Sequence, residues 1–312
     1  MSALYLHDIH GFLPPQQTLE NLGPGLRLKR SKIKLLERYH KLKNICMDER
    51  GLTELLEKPL KRIVQEASFP DSVKYLVYSK TVLMASPFQY DIIGKLKSRC
   101  SLPDAHGFSL TMRHCGGSLV ALALFRNLLS DQNDQAILLT GEKAFSHHIQ
   151  VIDGVTVMGE GTAGVAFGRR PTEWKIAATH SSIDGQYSTH GESSGVARLD
   201  RPEALRAFSQ NYTRQLADFL TDTIKRFNLT WDSLDSVIPH NVNESSWRSI
   251  AELVKLNPES IYLENVGKWG HCFGADPFLN LVTYLKKQSP APGSKVLMVS
   301  VGLGATYSRP EK

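Results

Sequence analysis

Residues 108–125, FSLTMRHCGGSLVALALF, decide the fold, because in this stretch one cysteine separates two apolar segments. The first, residues 108–112, has the alternation of a short strand, and the second, residues 118–129, is apolar enough for a buried central helix. Gly116 and Gly117 permit a sharp turn between the two segments. The stretch therefore predicts a strand, a turn and a helix, with Cys115 at the mouth of the helix.

Strand-like and helix-like segments alternate along the rest of the chain, which is the pattern of an α/β protein. Pro277 directly after Asp276 predicts a helix start, with proline at the first helical position and Asp276 as the cap. The predicted strands are residues 73–79, 108–112, 136–140 and 296–301, and the predicted helices are residues 54–67, 118–129, 206–227, 246–256 and 277–287.

The order of these elements in the first half of the chain returns in the second half. In each half a His-Cys pair precedes the corresponding helix, His114-Cys115 in the first and His271-Cys272 in the second. Such a repeat predicts a duplicated α/β unit, and we place its halves at residues 1–168 and 169–312. Two halves packed face to face would bring their strand ends and helix starts together at one cleft.

Composition excludes several classes of protein. The chain has 312 residues, of which 41% are apolar and 22% charged, so it can bury a core and is not disordered. Its longest apolar run, residues 119–125, is too short to cross a bilayer, and its first residues lack the features of a secretory signal. The 4 cysteines are scattered, without a CxxC motif, and do not form a disulfide framework. We therefore expect a globular protein of the cytoplasm, without a membrane partner.

The basic excess, a formal net charge of +6, is concentrated in one segment. Residues 27–43 contain eight Lys or Arg residues against one acid, Glu37. Such a stripe can steer an acidic partner, namely a phosphorylated cofactor, an acidic carrier protein or a nucleic acid, or it is simply a solvated helix face. Aromatic platforms and recognition motifs for nucleic acid are missing nearby, so we do not expect that partner.

Cys115 is the candidate nucleophile. At a helix start, unpaired backbone N–H groups and the positive end of the helix dipole favour the thiolate; the alternative is an ordinary buried cysteine. Two of the 11 histidines are candidate proton acceptors or donors. His240 ends an apolar strand, and His271 ends the loop that corresponds to the Cys115 loop in the repeat.

With these residues the chain resembles the thiolase-fold condensing enzymes, specifically the β-ketoacyl-acyl-carrier-protein synthase III group. The resemblance runs in family order over nearly the whole chain. Its marks are Cys115 at the place of the acylated cysteine, GEGTAGVA at residues 159–166, PHNVN at residues 239–243, KWGHC at residues 268–272 and VGLGATY at residues 301–307.

This resemblance implies a thiolase-like fold, in which the two halves form a five-layer α-β-α-β-α sandwich. It makes Cys115, His240 and His271 the catalytic residues. It also implies an oxyanion hole from the backbone N–H groups of Cys115 and Gly304. Substrate-binding or supporting roles follow for Asn243, Gly302 and Leu303.

The implied reaction is a two-step condensation. Cys115 takes an acyl group from acyl-coenzyme A or an acyl carrier protein, and a malonyl-type thioester then loses carbon dioxide and attacks it. Coenzyme A or phosphopantetheine thioesters are the substrates, and no metal or redox cofactor is expected. The resemblance implies a homodimer, and a heterodimer with a related chain is an alternative.

His271 departs from the pattern, because the synthase III group has asparagine at this place. A neutral histidine also offers one N–H donor, and sister enzymes of the elongating type use a Cys-His-His set, which we predict here. Two alternatives stay open: transfer of the acyl group to an alcohol or amine, and a non-catalytic partner subunit. Some relatives that only transfer acyl groups have an aspartate as third member, but the position of Asp276 favours a helix cap. A zinc site at Cys272 is not expected.

Overall fold

The central sheet of the molecule has six strands, which lie across the sheet in the order 174–176, 4–12, 162–168, 135–140, 73–79 and 106–110. The computed structural model describes residues 3–66, 72–81, 90–111, 113–183, 202–302 and 306–310. In these ranges the strands are β1 (Leu4–Phe12), β2 (Gln16–Thr18), β3 (Asn44–Cys46), β4 (Val73–Ser79), β5 (His106–Leu110), β6 (Gln135–Thr140), β7 (Val151–Ile152), β8 (Thr156–Val157), β9 (Thr162–Gly168), β10 (Trp174–Ile176), β11 (Thr179–Ile183), β12 (Ser236–Ile238), β13 (Val296–Met298), β14 (Ser300–Gly302) and β15 (Thr306–Pro310).

Strand direction divides this sheet. β4 pairs with β5 and β6 in parallel, whereas β9 runs antiparallel to both β6 and β1. β10 pairs with β1, so residues just beyond 168 still belong to the sheet of the first half. Strands of the second half form a parallel pair, β12-β13, and a three-stranded sheet, β11-β15-β14. The division of the chain at residue 168 stays a prediction.

The helices lie against these sheets. None of those in the described ranges has the length and apolar character that crossing a membrane requires. They are α1 (Leu19–Leu22), α2 (Arg30–Arg38), α3 (Leu52–Glu66), α4 (Ile92–Arg99), α5 (Gly117–Leu128), α6 (His147–Gln150), α7 (Pro202–Arg226), α8 (Glu244–Val254), α9 (Val266–Trp269) and α10 (Asp276–Gln288).

Most predicted elements are present, with ends shifted by a few residues; the predicted ends at residues 67 and 112 lie outside the described ranges. One difference has a clear cause. The predicted strand at residues 296–301 is divided at Val299 into β13 and β14. β13 pairs with β12, whereas β14 pairs with β15, so the chain changes partner between them. At the change, the Val299 N–H donates to the Ile238 carbonyl at 2.9 Å, and the His240 N–H donates to the Val299 carbonyl at 3.0 Å.

The main core joins the two halves. Helix α5 contributes Leu122 and Phe125 to a buried cluster that also contains Phe278 from α10 and Met298 from β13. These side chains are almost completely buried, and burial of apolar surface of this kind is the main stabilising contribution to a fold. The packing fixes the first turns of α5 and α10 next to each other, which is where the candidate site lies.

Candidate active site

Cys115 lies at the middle of a short 3-10 turn, His114–Gly116, that runs directly into α5. Its side chain is buried, and its carbonyl accepts a hydrogen bond of 2.9 Å from the Ser300 hydroxyl of β14. The Thr81 hydroxyl lies 3.7 Å from the sulfur and donates to it. The predicted place of this cysteine at the start of a helix is therefore what the structure shows, with one intervening turn.

His271 faces the sulfur. The distance from its Nε2 to the Cys115 Sγ is 3.4 Å, which is within hydrogen-bond range for sulfur. His271 is held by its backbone, because its N–H donates to the Val157 carbonyl at 3.0 Å and its carbonyl accepts from Gly159 at 2.9 Å. The loop at residues 268–272 is thereby tied to β8, and the imidazole has a fixed direction.

Asp276 completes the arrangement, and here the expectation of a helix cap is wrong. The N-cap of α10 is Ala275, and the Asp276 carboxylate turns away from the helix. One carboxylate oxygen accepts from His271 Nδ1 and from the Asn241 N–H at 2.6 Å. The other accepts from the Cys272 N–H at 2.8 Å. Sulfur, imidazole and a buried carboxylate thus form a continuous chain of contacts.

The electrostatics of this chain favour a protonated His271. Burial lowers the pKa of this imidazole, but the neighbouring Asp276 carboxylate and Cys115 sulfur outweigh burial and raise the pKa to about 10. A cationic imidazole beside a cysteine stabilises negative charge on the sulfur. A cationic imidazole 3.4 Å from a cysteine sulfur is the arrangement that activates a cysteine as a nucleophile.

His240 lies beside this chain of contacts rather than in it. Its ring centre is 5.7 Å from that of His271, and its Nε2 is 3.0 Å from the Tyr212 hydroxyl of α7. The ring is completely buried. Burial lowers the pKa of His240 well below its usual value, and the nearby His271 lowers it further, so the His240 imidazole is neutral.

Asn243 has a structural position. It is the N-cap of α8, and its side-chain oxygen accepts from the Ser246 N–H at 2.8 Å. Its amide group donates to the Val155 carbonyl at 3.1 Å, which ties the His240 loop to the β7-β8 hairpin. A polar residue of α10 that sequence reasoning missed, Asn280, contacts this loop. Its amide donates to Pro239 and to Asn241, at 2.7 Å each, and so fixes the two residues that flank His240.

Of the three glycine-rich-loop residues, the described part of the chain includes only Gly302. A Cβ atom at Gly302 would lie 2.6 Å from the Arg113 carbonyl oxygen and 2.7 Å from the His114 Cβ. β14 therefore approaches the nucleophile turn more closely than any other residue type would allow. Leu303 and Gly304, and with Gly304 half of the expected oxyanion hole, lie outside the described residues.

Cys272 belongs to the packing around the site. Its sulfur is 3.6 Å from that of Cys46, and both side chains are buried. Burial raises the pKa of the Cys272 thiol well above its usual value, and the Cys46 thiol adds to the effect. The described residues with a metal-ligating arrangement are elsewhere, at Asp8, His10 and Glu66. A buried thiol with a raised pKa is a weak nucleophile.

The missed residues left different traces in the sequence. Asp276 follows His271 by five positions, and this spacing is a usable signal once the loop between them is known to be a tight turn. Tyr212 and Thr81 have none, because each reaches the site from an element distant along the chain.

The basic stripe of residues 27–43 surrounds α2, and its Lys and Arg side chains are exposed except for that of Lys32.

Comparisons with known proteins agree with this geometry. Residues 224–308 match the family model described as 3-oxoacyl-[acyl-carrier-protein] synthase III, C terminal. The β-ketoacyl-[acyl-carrier-protein] synthase III of Aquifex aeolicus is 21% identical over 197 residues, which are 62% of this chain and 62% of the relative. The match therefore spans less than two thirds of the length of that relative.

Solved structures extend the likeness to almost the whole chain. ChlB3, which is described as an acyltransferase, has a TM-score of 0.85 at 16% identity, and the match covers 99% of this chain and 97% of ChlB3. The 3-oxoacyl-(acyl carrier protein) synthase III of Pseudomonas aeruginosa PAO1 has a TM-score of 0.79 at 17% identity, with 99% and 97% covered. These structures confirm the expected thiolase-like fold. The family-model match and the curated relatives agree with the resemblance to the synthase III group.

Proposed function

From the likeness of this chain to synthase III in sequence and fold, we propose that it is an enzyme. Its Cys115 receives an acyl group from a thioester substrate and passes the group to a second substrate. One observation carries this proposal. The Cys115 sulfur lies 3.4 Å from Nε2 of His271, and the other ring nitrogen of His271 is bonded to the buried carboxylate of Asp276. A nucleophile next to a base that a third group orients is the general arrangement for covalent catalysis.

In this proposal, the first half-reaction starts from a Cys115 thiolate next to the His271 imidazolium. The Cys115 thiolate attacks the thioester carbonyl carbon, and a tetrahedral oxyanion forms. Backbone N–H groups of Cys115 and Gly304 are proposed to stabilise it, and the loss of one such donor typically costs ~10²–10³ in rate. The bond to the leaving sulfur then breaks, and the His271 Nε2 proton goes to that sulfur. The products are an acyl-cysteine, a free thiol and a neutral His271.

The second half-reaction reverses the proton movement. An acceptor hydroxyl or amine gives its proton to the neutral His271 Nε2 while it attacks the acyl carbonyl carbon. The carbon–sulfur bond to Cys115 breaks, and the thiolate returns next to the imidazolium. Asp276 orients His271 and stabilises its cationic form in both halves. This direct acyl transfer is the function that the site geometry supports best.

Decarboxylative condensation is the second candidate. It is favoured by the position of His240, with its ring centre 5.7 Å from that of His271, and by the synthase names of the curated relatives. Here a malonyl-type thioester loses carbon dioxide, and its carbanion attacks the acyl-cysteine to form a β-ketoacyl thioester. Cys115, His240 and His271 would then form the predicted Cys-His-His set.

Substrates and partners follow from the same proposal. Coenzyme A or phosphopantetheine thioesters, the latter on an acyl carrier protein, supply the acyl group, and neither half-reaction requires a metal or redox group. The exposed basic stripe around α2 would suit the phosphates or acidic surface of such a donor. We also propose a homodimer through β5, which lies at the edge of the six-stranded sheet, with a heterodimer as the alternative. The free thiols fit the cytoplasm.

Intact-mass measurement tests the proposal. The protein is incubated with acyl-coenzyme A thioesters of several chain lengths, and one acyl increment is expected on the wild type but not on Cys115→Ala. The acylated protein is then given an alcohol or amine panel in one reaction and a malonyl thioester in another. Ester or amide product supports direct transfer, and Cys115-dependent carbon dioxide release supports condensation. A wild type without any increment would leave a non-catalytic subunit and contradict the proposal.

A further inference from the structure

His240 is a completely buried imidazole that the Cys115–His271–Asp276 chain of contacts does not use. It is held on several sides. Its N–H donates to the Val299 carbonyl at 3.0 Å, and its carbonyl accepts from the Trp247 indole at 2.9 Å. The Trp247 ring also packs edge-on against the imidazole, with ring centres 5.4 Å apart. Such a fixed ring next to His271 needs an explanation.

The contact with Tyr212 determines what this imidazole can offer. Its Nε2 and the Tyr212 hydroxyl are 3.0 Å apart, and both side chains are buried. The hydroxyl either donates to Nε2 or accepts from it, and in both cases this nitrogen already has a partner. Among the described residues, the other ring nitrogen, Nδ1, is buried without a hydrogen-bond partner.

Decarboxylation makes a demand that the two histidines do not meet in this arrangement. Loss of carbon dioxide from a malonyl thioester places negative charge on the thioester carbonyl oxygen, and fixed N–H donors must stabilise it. Nε2 of His271 faces the Cys115 sulfur, and Nε2 of His240 faces Tyr212. A malonyl carbonyl could use Nε2 of His240 only by displacing the tyrosine hydroxyl, and Nδ1 is buried.

We propose that Tyr212 is a specificity-determining positioning residue: by occupying Nε2 of His240, it withholds this imidazole from the substrate carbonyl and favours direct acyl transfer over decarboxylative condensation. This inference rests on the proposed function, because it concerns the fate of the Cys115-bound acyl group. It also gives His240 a neutral, fixed role, so that His271 alone exchanges the proton of the reaction.

The charge of the surroundings supports that role. His271, as an imidazolium beside His240, disfavours a second positive charge, and burial of His240 acts in the same direction. His240 therefore does not compete with His271 for the proton of Cys115. Its remaining capacity is hydrogen bonding, and at Nε2 this capacity is used by the Tyr212 hydroxyl.

The experiment compares Tyr212→Phe with the wild type and with Tyr262→Phe. The Tyr262 hydroxyl donates to the Glu264 carboxylate at 3.2 Å, away from the site. Its removal is therefore a matched loss of one phenolic hydroxyl. Each protein is acylated with the acyl-coenzyme A identified by intact mass and given malonyl-coenzyme A. Carbon dioxide release per acylated protein is expected to rise about fivefold in Tyr212→Phe, the ratio that corresponds to one hydrogen bond. It is expected to stay at the wild-type level in Tyr262→Phe.

Two further measurements decide the interpretation. In Tyr212→Phe/His240→Leu the gain is expected to disappear, and a gain that persists would overturn the role of His240. Ring ¹⁵N spectra of His240 should change in Tyr212→Phe and not in Tyr262→Phe, and identical spectra would overturn the proposal. So would a wild type that releases carbon dioxide as fast as Tyr212→Phe does. If the wild type is not acylated at all, the proposed function fails, which the mass spectrum shows separately.

Discussion

The two loops that meet at the site each contain a His-Cys dipeptide. In the first loop the cysteine lies in the site, and in the second loop the histidine does. In the first loop Cys115 is the proposed nucleophile, and His114 is not part of the Cys115–His271–Asp276 chain of contacts. In the second loop His271 faces the sulfur, and Cys272 is packed against Cys46. The loops are in direct contact, because the Ser118 hydroxyl donates to the Gly274 carbonyl at 2.7 Å.

The backbone explains the difference. Each loop forms a 3-10 turn that begins with a residue of positive φ and leads directly into a helix: His114 has φ +48° and Phe273 has φ +53°. Matching the turns pairs Cys115 with Gly274, not with Cys272. The dipeptides are therefore two positions out of step, and their likeness in the sequence does not reflect equivalent places. One turn supplies a sulfur, and the other supplies the imidazole that precedes it.

The largest effect is expected from removing the two sulfurs in turn. Cys115→Ala should abolish acylation, because the loss of a nucleophile typically costs ~10⁴-fold or more. Cys272→Ala should still be acylated and should lose only about 1 kcal/mol of unfolding free energy from the buried packing it leaves. Acylation is measured by intact mass and stability by urea unfolding. Loss of acylation in both variants would contradict the division of roles between the loops.

The second effect concerns the two histidines of the dipeptides. His271→Ala removes the proton donor and acceptor and should slow acylation by about 10²–10⁴-fold. His114→Ala should have a much smaller effect, because no contact of the His114 ring with the reacting atoms is present in the described residues. Rapid-mixing mass spectrometry gives both rates. Equal losses would mean that His114, despite its position, takes part in the reaction.

Asp276→Asn should change how the rate of Cys115 alkylation depends on pH. With the carboxylate removed, burial is opposed less, so the pKa of His271 should fall from about 10. A smaller fraction of His271 is then protonated at neutral pH. Alkylation of Cys115 by iodoacetamide at pH 6–8 should therefore be slower than in the wild type. The difference should disappear as the pH rises toward 10, where the wild-type imidazole also loses its proton. Alkylation rates across this range measure the effect, and parallel profiles would contradict it.

How far the sequence predicts this site depends on the distance over which each contact acts. Cys115 lies in a strand–turn–helix pattern and His271 lies in the motif at residues 268–272, so local pattern and motif order are enough to select them. For Asp276 the sequence predicts a helix cap, because an aspartate before a proline is typical of a helix start. Only the turn at Phe273–Ala275 directs the Asp276 carboxylate backward to His271. Tyr212 could not be found, because its contact with His240 joins a helix to a distant loop, and one tyrosine in a helix is ordinary.

A side chain at the position that pairs with Cys115 should be tolerated poorly. A Cβ atom at Gly274 would lie 2.8 Å from the Thr140 hydroxyl oxygen and 3.3 Å from the Cys115 carbonyl oxygen. Gly274→Ala should therefore lower the unfolding free energy by about 1–3 kcal/mol through overpacking and slow acylation by moving the two turns apart. Gly25→Ala is the matched control, because its nearest neighbour would be 3.5 Å away. Equal stability of the two variants would show that the turns are not tightly packed.

The smallest effect on acylation is expected from the hydrogen bond that Ser118 makes between the loops. Ser118→Ala removes the hydroxyl that donates to the Gly274 carbonyl in a buried place, and a buried acceptor left without its donor costs about 1–3 kcal/mol. Because Ser118 touches neither the sulfur nor His271, acylation of the folded variant should change much less than stability does. Urea unfolding and acylation rate, measured on the same preparation, separate the two. A large loss of rate without a loss of stability would mean that this bond sets the distance between Cys115 and His271, and the nucleophile turn would then depend on the second loop for its alignment as well as for its imidazole.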